Sequence, residues 1–310
     1  MYNQGVLRNQ SVEIDHTEKV LGNYLTILIP AYNEALGIGG VLKELLEQPE
    51  LCGAEIIVIN DGSTDETAQI VKQFNSVRLI EHPTNRGYGT AIWSGVRASQ
   101  REFIIWYDAD GQHNPKDLIK LAEVLINSNL DYCIGVRTAD SYQDPDRKFG
   151  KWLLRLAVTF AVGKNVPDFN SGLRGFKREV LLRYLPLLPK RFGASTLTTL
   201  LMIENEHFGE TVPIVTRPRI GKSTVQQIRD GLQTLQIILH IMILFKPLQF
   251  FGWIGLVLIV TGLIYGFYKA FTVRLGFPVL GTLVILTGIQ SFFFGLLCDQ
   301  ISALRRERWG

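Results

Sequence analysis

The 310-residue sequence predicts an α/β domain with a mostly parallel sheet covered by helices on both faces, joined to a helical membrane hairpin. Three observations carry this. Short apolar runs alternate with segments of helical period between Tyr24 and Gly135. Polar loops follow the runs, where ligands bind in such sheets. Two long uncharged stretches lie near the end of the chain.

Tyr24–Ile29, an apolar run stopped by Pro30, reads as a buried strand. Ile38, Val41, Leu42 and Leu45 recur at helical spacing within 35–47. Glu55–Ile59 predicts a second strand, and 65–74 a second helix begun by Ser63 or Thr64 as N-cap. Val77–Ile80, Phe103–Trp106 and Tyr132–Gly135 predict three more strands, separated by helices over 89–98 and 115–127.

Composition narrows the function classes. Hydrophobic residues make up 46% of the chain and formal net charge is +3, too little for a nucleic-acid-scale basic field, so no nucleic-acid partner is expected. Cys52, Cys133 and Cys298 lie far apart and match neither a disulfide nor a metal-ligand spacing. Residues 1–22 read as a polar arm, not a signal peptide, because they lack an apolar core. The uncharged runs Pro247–Tyr268 and Leu275–Cys298 each reach the roughly 20 residues a helix needs to cross a bilayer. Residues 225–246, with Ile228, Leu232, Leu235, Leu239 and Met242 on one face, predict an amphipathic helix lying along the membrane surface. Lys148, Lys151 and Arg155 beside Trp152, Leu153 and Leu156 predict a second interfacial helix. Arg305, Arg306 and Arg308 after the second run and Lys246 before the first outnumber Lys269 and Arg274 in the turn. This bias places the 23–224 domain and both termini of a multi-pass cell-membrane protein in the cytoplasm, with 247–310 as two membrane helices and a short basic tail.

The sharpest chemical signal is Asp108-Ala109-Asp110-Gly111-Gln112 after the fourth strand. Two carboxylates at the end of a buried strand are costly unless a positive charge compensates them. Alternation along an extended loop lets Asp108, Asp110 and Gln112 converge on one ion, and an all-oxygen set suits Mg2+ or Mn2+. Such an ion would neutralise a departing nucleoside diphosphate. Asn85-Arg86-Gly87-Tyr88-Gly89 leads into a helix whose N-terminus can support the donor phosphates, or is simply a glycine turn.

Pro30-Ala31-Tyr32-Asn33-Glu34, Asn60-Asp61-Gly62-Ser63-Thr64-Asp65 and Asp108-Ala109-Asp110-Gly111-Gln112-His113, in this order, resemble family 2 glycosyltransferases of the Rossmann-like GT-A fold. The likeness covers about Leu25 to Ser223 and is strongest to the dolichyl-phosphate mannose synthase and polyprenyl-phosphate glycosyltransferase branch. It implies that Pro30, Tyr32 and Glu34 hold the nucleotide, that Ile59 and Asp61 reach the base, and that Asp108, Ala109, Asp110 and Gln112 serve diphosphate and metal. Gly135-Val136-Arg137 resembles the family's Gly-x-Arg, whose arginine faces the phosphates, and Ser171-Gly172-Leu173-Arg174 resembles its acceptor-side segment. Arg219 and Lys222 resemble the stretch that closes over the donor, although the synthases carry a lysine where this chain has Thr224.

The implied reaction is metal-dependent, inverting transfer of a hexose from a UDP-glucose or GDP-mannose type nucleotide-sugar donor to a polyprenyl or dolichyl phosphate. A phosphate monoester, with a second pKa near about 6, needs no general base but must be held by cations. Arg137, with Arg147 or Lys148, is expected to hold it, and Asp110 and Arg137 are the expected catalytic residues. Another lipid or a polysaccharide is the alternative acceptor. A processive synthase would show Gln-x-x-Arg-Trp, and a nucleotidyltransferase a basic glycine-rich loop after the first strand; neither pattern is present. A separate flippase and a homo-oligomeric assembly are further expected partners.

Overall fold

The computed structural model describes residues 20–142, 171–190, 193–221, 242–273 and 276–309, with single positions 156, 159, 168, 236, 239 and 240. Lys222, Arg147, Lys148 and the helices expected over 148–160 and most of 225–241 lie outside the described residues. The elements are β1 Leu25–Ala31, α1 Ile38–Leu46, β2 Glu55–Asn60, α2 Thr67–Val71, β3 Val77–Glu81, α3 Tyr88–Ala98, β4 Phe103–Trp106, α4 Pro115–Asn127 and β5 Tyr132–Arg137. They continue with β6 Arg174–Lys177, α5 Arg178–Tyr184, α6 Ala194–Glu204, β7 Gly209–Ile214, α7 Pro247–Val273 and α8 Val279–Trp309.

The described strands form one sheet in the order β3-β2-β1-β4-β6-β5-β7. β1 pairs in parallel with β2 and β4, β2 with β3, and β5 with β7; β6 runs antiparallel between β4 and β5. The period-2 geometry of a strand divides its side chains between two helical layers. Ile27, Ile29, Val58 and Ile105 pack with Leu42 of α1 and Leu121 of α4. Leu28, Ile57, Ile104 and Trp106 pack on the other face with Ile92 of α3 and Leu200 of α6. Asn114 caps α4, its side chain accepting from the Lys116 amide at 3.0 Å, and Pro115 occupies the first turn, where no amide donor is required.

The structure adds what the apolar pattern did not mark. β6, α5, α6 and β7 follow the last predicted strand, and β6 makes the sheet mixed. Leu21 and Gly22, expected in the arm, are buried; a Cβ on Gly22 would lie 2.0 Å from the Cys52 carbonyl oxygen. α2 starts at Thr67, not beside Ser63 or Thr64, because the Asp65 carboxylate takes the Thr67 amide at 3.0 Å.

α7 and α8 form an antiparallel hairpin, and their outer faces carry exposed Trp253, Phe267, Phe271, Leu283 and Phe293. Two candidate spans, Pro247–Thr272 and Val279–Leu304, are long and apolar enough to cross a membrane. Glycines set their close approach. A Cβ on Gly255 would stand 2.6 Å from the Gly288 carbonyl oxygen, and one on Gly288 2.7 Å from that of Gly255. α8 runs on through the segment expected as a separate basic tail. Immediately before the hairpin, Met242 and Phe245 are buried and Phe245 packs with the α3 and α6 core, so this end of the expected surface helix rests on the domain.

Candidate active site at the carboxyl edge of the sheet

All the parallel strands end at one edge, and the antiparallel β6 begins there. Pairing of Trp106 with Arg174 therefore sets Ser171-Gly172, just before β6, beside Asp108, just after β4. The approach is intimate: a Cβ on Gly172 would lie 1.9 Å from Asp108 Oδ2 and 3.0 Å from His113 Nε2.

One half of this edge is knitted by side chains bound to backbone. The Asn33 amide donates to Ser63 Oγ at 3.0 Å, and the Thr64 amide returns a bond to Asn33 Oδ1 at 2.8 Å. The Glu34 amide donates to Thr67 Oγ1 and the Ala35 amide to Asp65 Oδ2. Asp61 ties in the turn before α3, accepting the Gly87 amide on Oδ2 at 2.7 Å and the Arg86 amide on Oδ1 at 3.0 Å. Gly62 (φ +71°) turns beneath that segment; a Cβ there would stand 2.4 Å from the Thr84 carbonyl carbon.

The other half is acidic. Asp108 Oδ2 lies 3.4 Å from His113 Nε2, and its Oδ1 accepts from the Tyr88 hydroxyl at 3.4 Å. Asp110 Oδ1 accepts the Gln112 amide at 3.1 Å, and its Oδ2 stands 3.6 Å from Arg219. Arg219 also bonds Glu34 Oε1, while its own Nε is buried with no hydrogen-bond partner among the described residues. The segment carrying it clasps the loop, with the Arg217 amide donating to the Gln112 carbonyl at 2.8 Å and the Ile220 amide to that of Asp110 at 3.0 Å.

These charges perturb one another. Burial pushes the Glu34 carboxyl up to about 7, with Arg219 opposing and Asp110, Asp108 and Asp65 reinforcing. Burial, then the charge of Asp108, raises Asp110. At Asp108 burial also acts upward, but the His113 hydrogen bond and the charges of His113, Arg174 and Arg219 outweigh it, so that carboxyl lies below the ordinary range. Two acids two residues apart are thus driven in opposite directions, the signature of carboxylates crowded into one site.

Arg137 ends β5 and binds Asp168 bidentately, Nε and Nη2 donating at 2.7 and 2.5 Å. Burial acts upward on Asp168 as well, but the Arg137 bonds outweigh it and hold its carboxyl low. Below them Arg174 is fully buried, donating to the carbonyls of Ser171 and Ser195 and to Thr199 Oγ1. Burial lowers it to about 10, and it places positive charge under Asp108 and Asp168.

The structure thus brings Glu34, Asp108, Asp110 and Arg219 into one electrostatic cluster. Pro30 and Ala109 are buried beside it, and Tyr32 stands half-buried on the β1 loop. Two expected residues sit differently. The side chain of Ile59 is fully buried, and a Cβ on Gly95 would lie 2.8 Å from its Cδ1, so it packs against α3 in the core. The Gln112 side chain donates to the Arg217 carbonyl at 3.4 Å rather than turning to the two aspartates. Among the described residues no three His, Cys, Asp or Glu side chains stand together as a metal cluster. The donor chemistry of Asp108 and Asp110 nevertheless suits Mg2+ or Mn2+, since such ions commonly take one or two carboxylates plus substrate phosphates. The sequence marks Tyr88 only as part of the turn before α3 and does not mark Asp168 or His82; their carboxylate or arginine partners Asp108, Arg137 and Asp61 lie 20, 31 and 21 residues away.

Residues 26–185 match the family model described as glycosyl transferase family 2, and residues 246–304 match the GtrB C-terminal hairpin. The glycosyltransferase AglJ of Haloferax volcanii is 29% identical over 91% of this chain and 95% of its own length. The UDP-N-acetylglucosamine–dolichyl-phosphate N-acetylglucosaminyltransferase of Methanococcus voltae is 29% identical over 61% of this chain and 84% of its own. Among solved structures, the glucosyl-3-phosphoglycerate synthase of Mycobacterium tuberculosis, in complex with Mn2+, UDP-glucose and phosphoglyceric acid, is 19% identical. It covers 70% of this chain and 78% of that one with a TM-score of 0.55, a likeness of fold. With a family model covering just over half of its residues and the acidic loop where that fold binds ligands, the chain belongs to glycosyl transferase family 2 and is a glycosyltransferase.

Proposed function

We propose that the protein transfers a hexose, with inversion, from a UDP-glucose or GDP-mannose type donor to a polyprenyl or dolichyl phosphate at the cytoplasmic face of the cell membrane. The observation that carries this is the cluster of Glu34, Asp108 and Asp110 at the sheet edge, compensated by Arg219 and His113, in a chain that continues into a membrane hairpin. The relatives that act on dolichyl or undecaprenyl phosphate support the acceptor class.

Asp108 and Asp110 would hold the divalent cation, whose contribution is to neutralise the leaving nucleoside diphosphate. Arg219 now performs part of that neutralisation for Glu34 and Asp110, and the diphosphate is a second anion that its guanidinium can bind. Arg137 spends two N–H groups on Asp168 and, among the described residues, keeps three in a fixed fork. Those three would hold the acceptor phosphate, with Asp168 orienting the plane. The acceptor needs no base, so the protein's work is to align two phosphorylated reactants and exclude water. Cytoplasmic orientation, from the basic flanks of the hairpin, and a separate flippase, from its having only two spans, belong to the same proposal, as does a homo-oligomeric assembly.

Full-length protein in liposomes with polyprenyl phosphate, given radiolabelled UDP-glucose or GDP-mannose, should label the lipid. EDTA should abolish labelling and Mn2+ restore it. Labelled polymer, or transfer indifferent to EDTA, contradicts the proposal.

A further inference from the structure

Behind Asp61 stands a buried chain of side chains that the proposed chemistry does not use. His82, just past β3, places Nδ1 2.6 Å from Asp61 Oδ1 and Nε2 2.9 Å from Ser94 Oγ on α3. The two ionisable side chains are 6% and 4% exposed, so neither is a surface pair. A carboxylate only accepts, so Nδ1 carries the proton toward Asp61; in the neutral ring Nε2 then accepts from the Ser94 hydroxyl. The backbone anchors both ends: the His82 amide donates to the Asn60 carbonyl at 2.9 Å and the Asp61 amide to that of Ala31 at 2.8 Å.

A carboxylate offers about four acceptor positions. At Asp61 three N–H donors claim it: His82 Nδ1, the Arg86 amide shared between both oxygens, and the Gly87 amide. With Arg86 reaching both oxygens, each oxygen takes two contacts, so the carboxylate is committed to the imidazole and the 86–87 backbone. The same carboxylate sets the turn that starts α3, whose first residue, Tyr88, reaches Asp108. The imidazole therefore governs, through Asp61, the turn before α3 and the register of Tyr88 against the acidic half.

We propose that His82, backed by Ser94, is a positioning residue for the donor: through Asp61 it locks the 85–88 turn that opens α3 beside the acidic half, where the donor diphosphate is proposed to bind. This rests on the nucleotide-sugar reading above. Catalytic contact stays with other residues; His82 acts through Asp61. The Ser94-His82-Asp61 order resembles a hydrolase triad, but the imidazole and carboxylate are sealed beneath the loops.

The test uses full-length protein in detergent, with UDP and GDP as calorimetric probes and no acceptor. His82→Asn keeps a donor near the Nδ1 position, whereas His82→Gln reaches toward Ser94 and loses that donor. Losing a buried hydrogen bond to a charged group predicts nucleotide binding about tenfold to a hundredfold weaker in His82→Gln and His82→Ala. His82→Asn should stay within about threefold of wild type, and Ser94→Ala should weaken binding by no more than about fivefold. In the transfer assay donor KM should rise with kcat little changed, as for loss of ground-state binding. Should His82→Ala not fold, the Asn and Gln pair still decides. Equal binding by His82→Asn and His82→Gln, or a fall in kcat at constant KM, overturns the proposal while leaving lipid-phosphate transfer intact. Failure of wild type to bind either nucleotide removes the donor reading as well.

Discussion

The two halves of the cleft are held together by different physics. On the β1–β2 side, Asn33, Asp61, Ser63 and Asp65 bind backbone groups of neighbouring loops, so their geometry is set before a ligand arrives. On the β4–β5 side, Asp108 and Asp110, with His113, Arg219 and Glu34 reaching in, and Arg137 with Asp168 are held by charge. On the proposed function, a donor nucleoside would meet a finished surface. An incoming cation and two phosphates would instead have to trade places with side-chain ion pairs, which would couple binding to chemistry in the acidic half.

The contrast is broken most severely at Gly172, where the two halves of the sheet edge meet Asp108. Alanine there would bring Cβ to 1.9 Å from Asp108 Oδ2, so the carboxylate must move. Gly172→Ala should lower the transfer rate by about a hundredfold, as misplacement of a reacting group by about 1 Å does. Its thermal melt should shift little; undiminished turnover would show that the position of Asp108 is not critical.

Asp168→Asn sharpens the contrast by removing charge while keeping shape. Breaking a fully buried pair costs ~3–5 kcal/mol; since the Arg137 side chain is 30% exposed, about 2 kcal/mol is expected, read by denaturant unfolding. The pH dependence follows from the direction of the shift. Asp168 titrates lower when folded than when unfolded, so its contribution is complete above the unfolded value near ~3.9 and is lost as pH falls through the lower folded value. Wild type should therefore lose stability in acid more steeply than Asp168→Asn; parallel acid profiles would remove the pair from the account.

Much of the preorganised half was legible because it is local. β1, β2 and β4 are unbroken apolar runs, and the loops after them carry the motif residues. The charged half was less so. β6 is only Arg-Gly-Phe-Lys, and its arginine is buried by a hydrogen-bond set that no hydropathy pattern announces. β7 contains Pro213, which is tolerated because this is an edge strand. α6 hides three threonines, Thr196, Thr198 and Thr199, two of which bond Arg174. Asp108 and Asp110 were readable from spacing alone. That Gln112 turns to Arg217 was not, since the segment bringing Arg217 there lies 105 residues away.

The central claim is that Asp108 and Asp110 receive a divalent cation together with the donor's diphosphate. Titrating Mn2+ into full-length protein with UDP, and following free Mn2+ by electron paramagnetic resonance, tests it most directly. A single UDP-dependent site, weakened at least about tenfold in both Asp108→Asn and Asp110→Asn, is the predicted result. Mn2+ binding of undiminished affinity in both variants would contradict it.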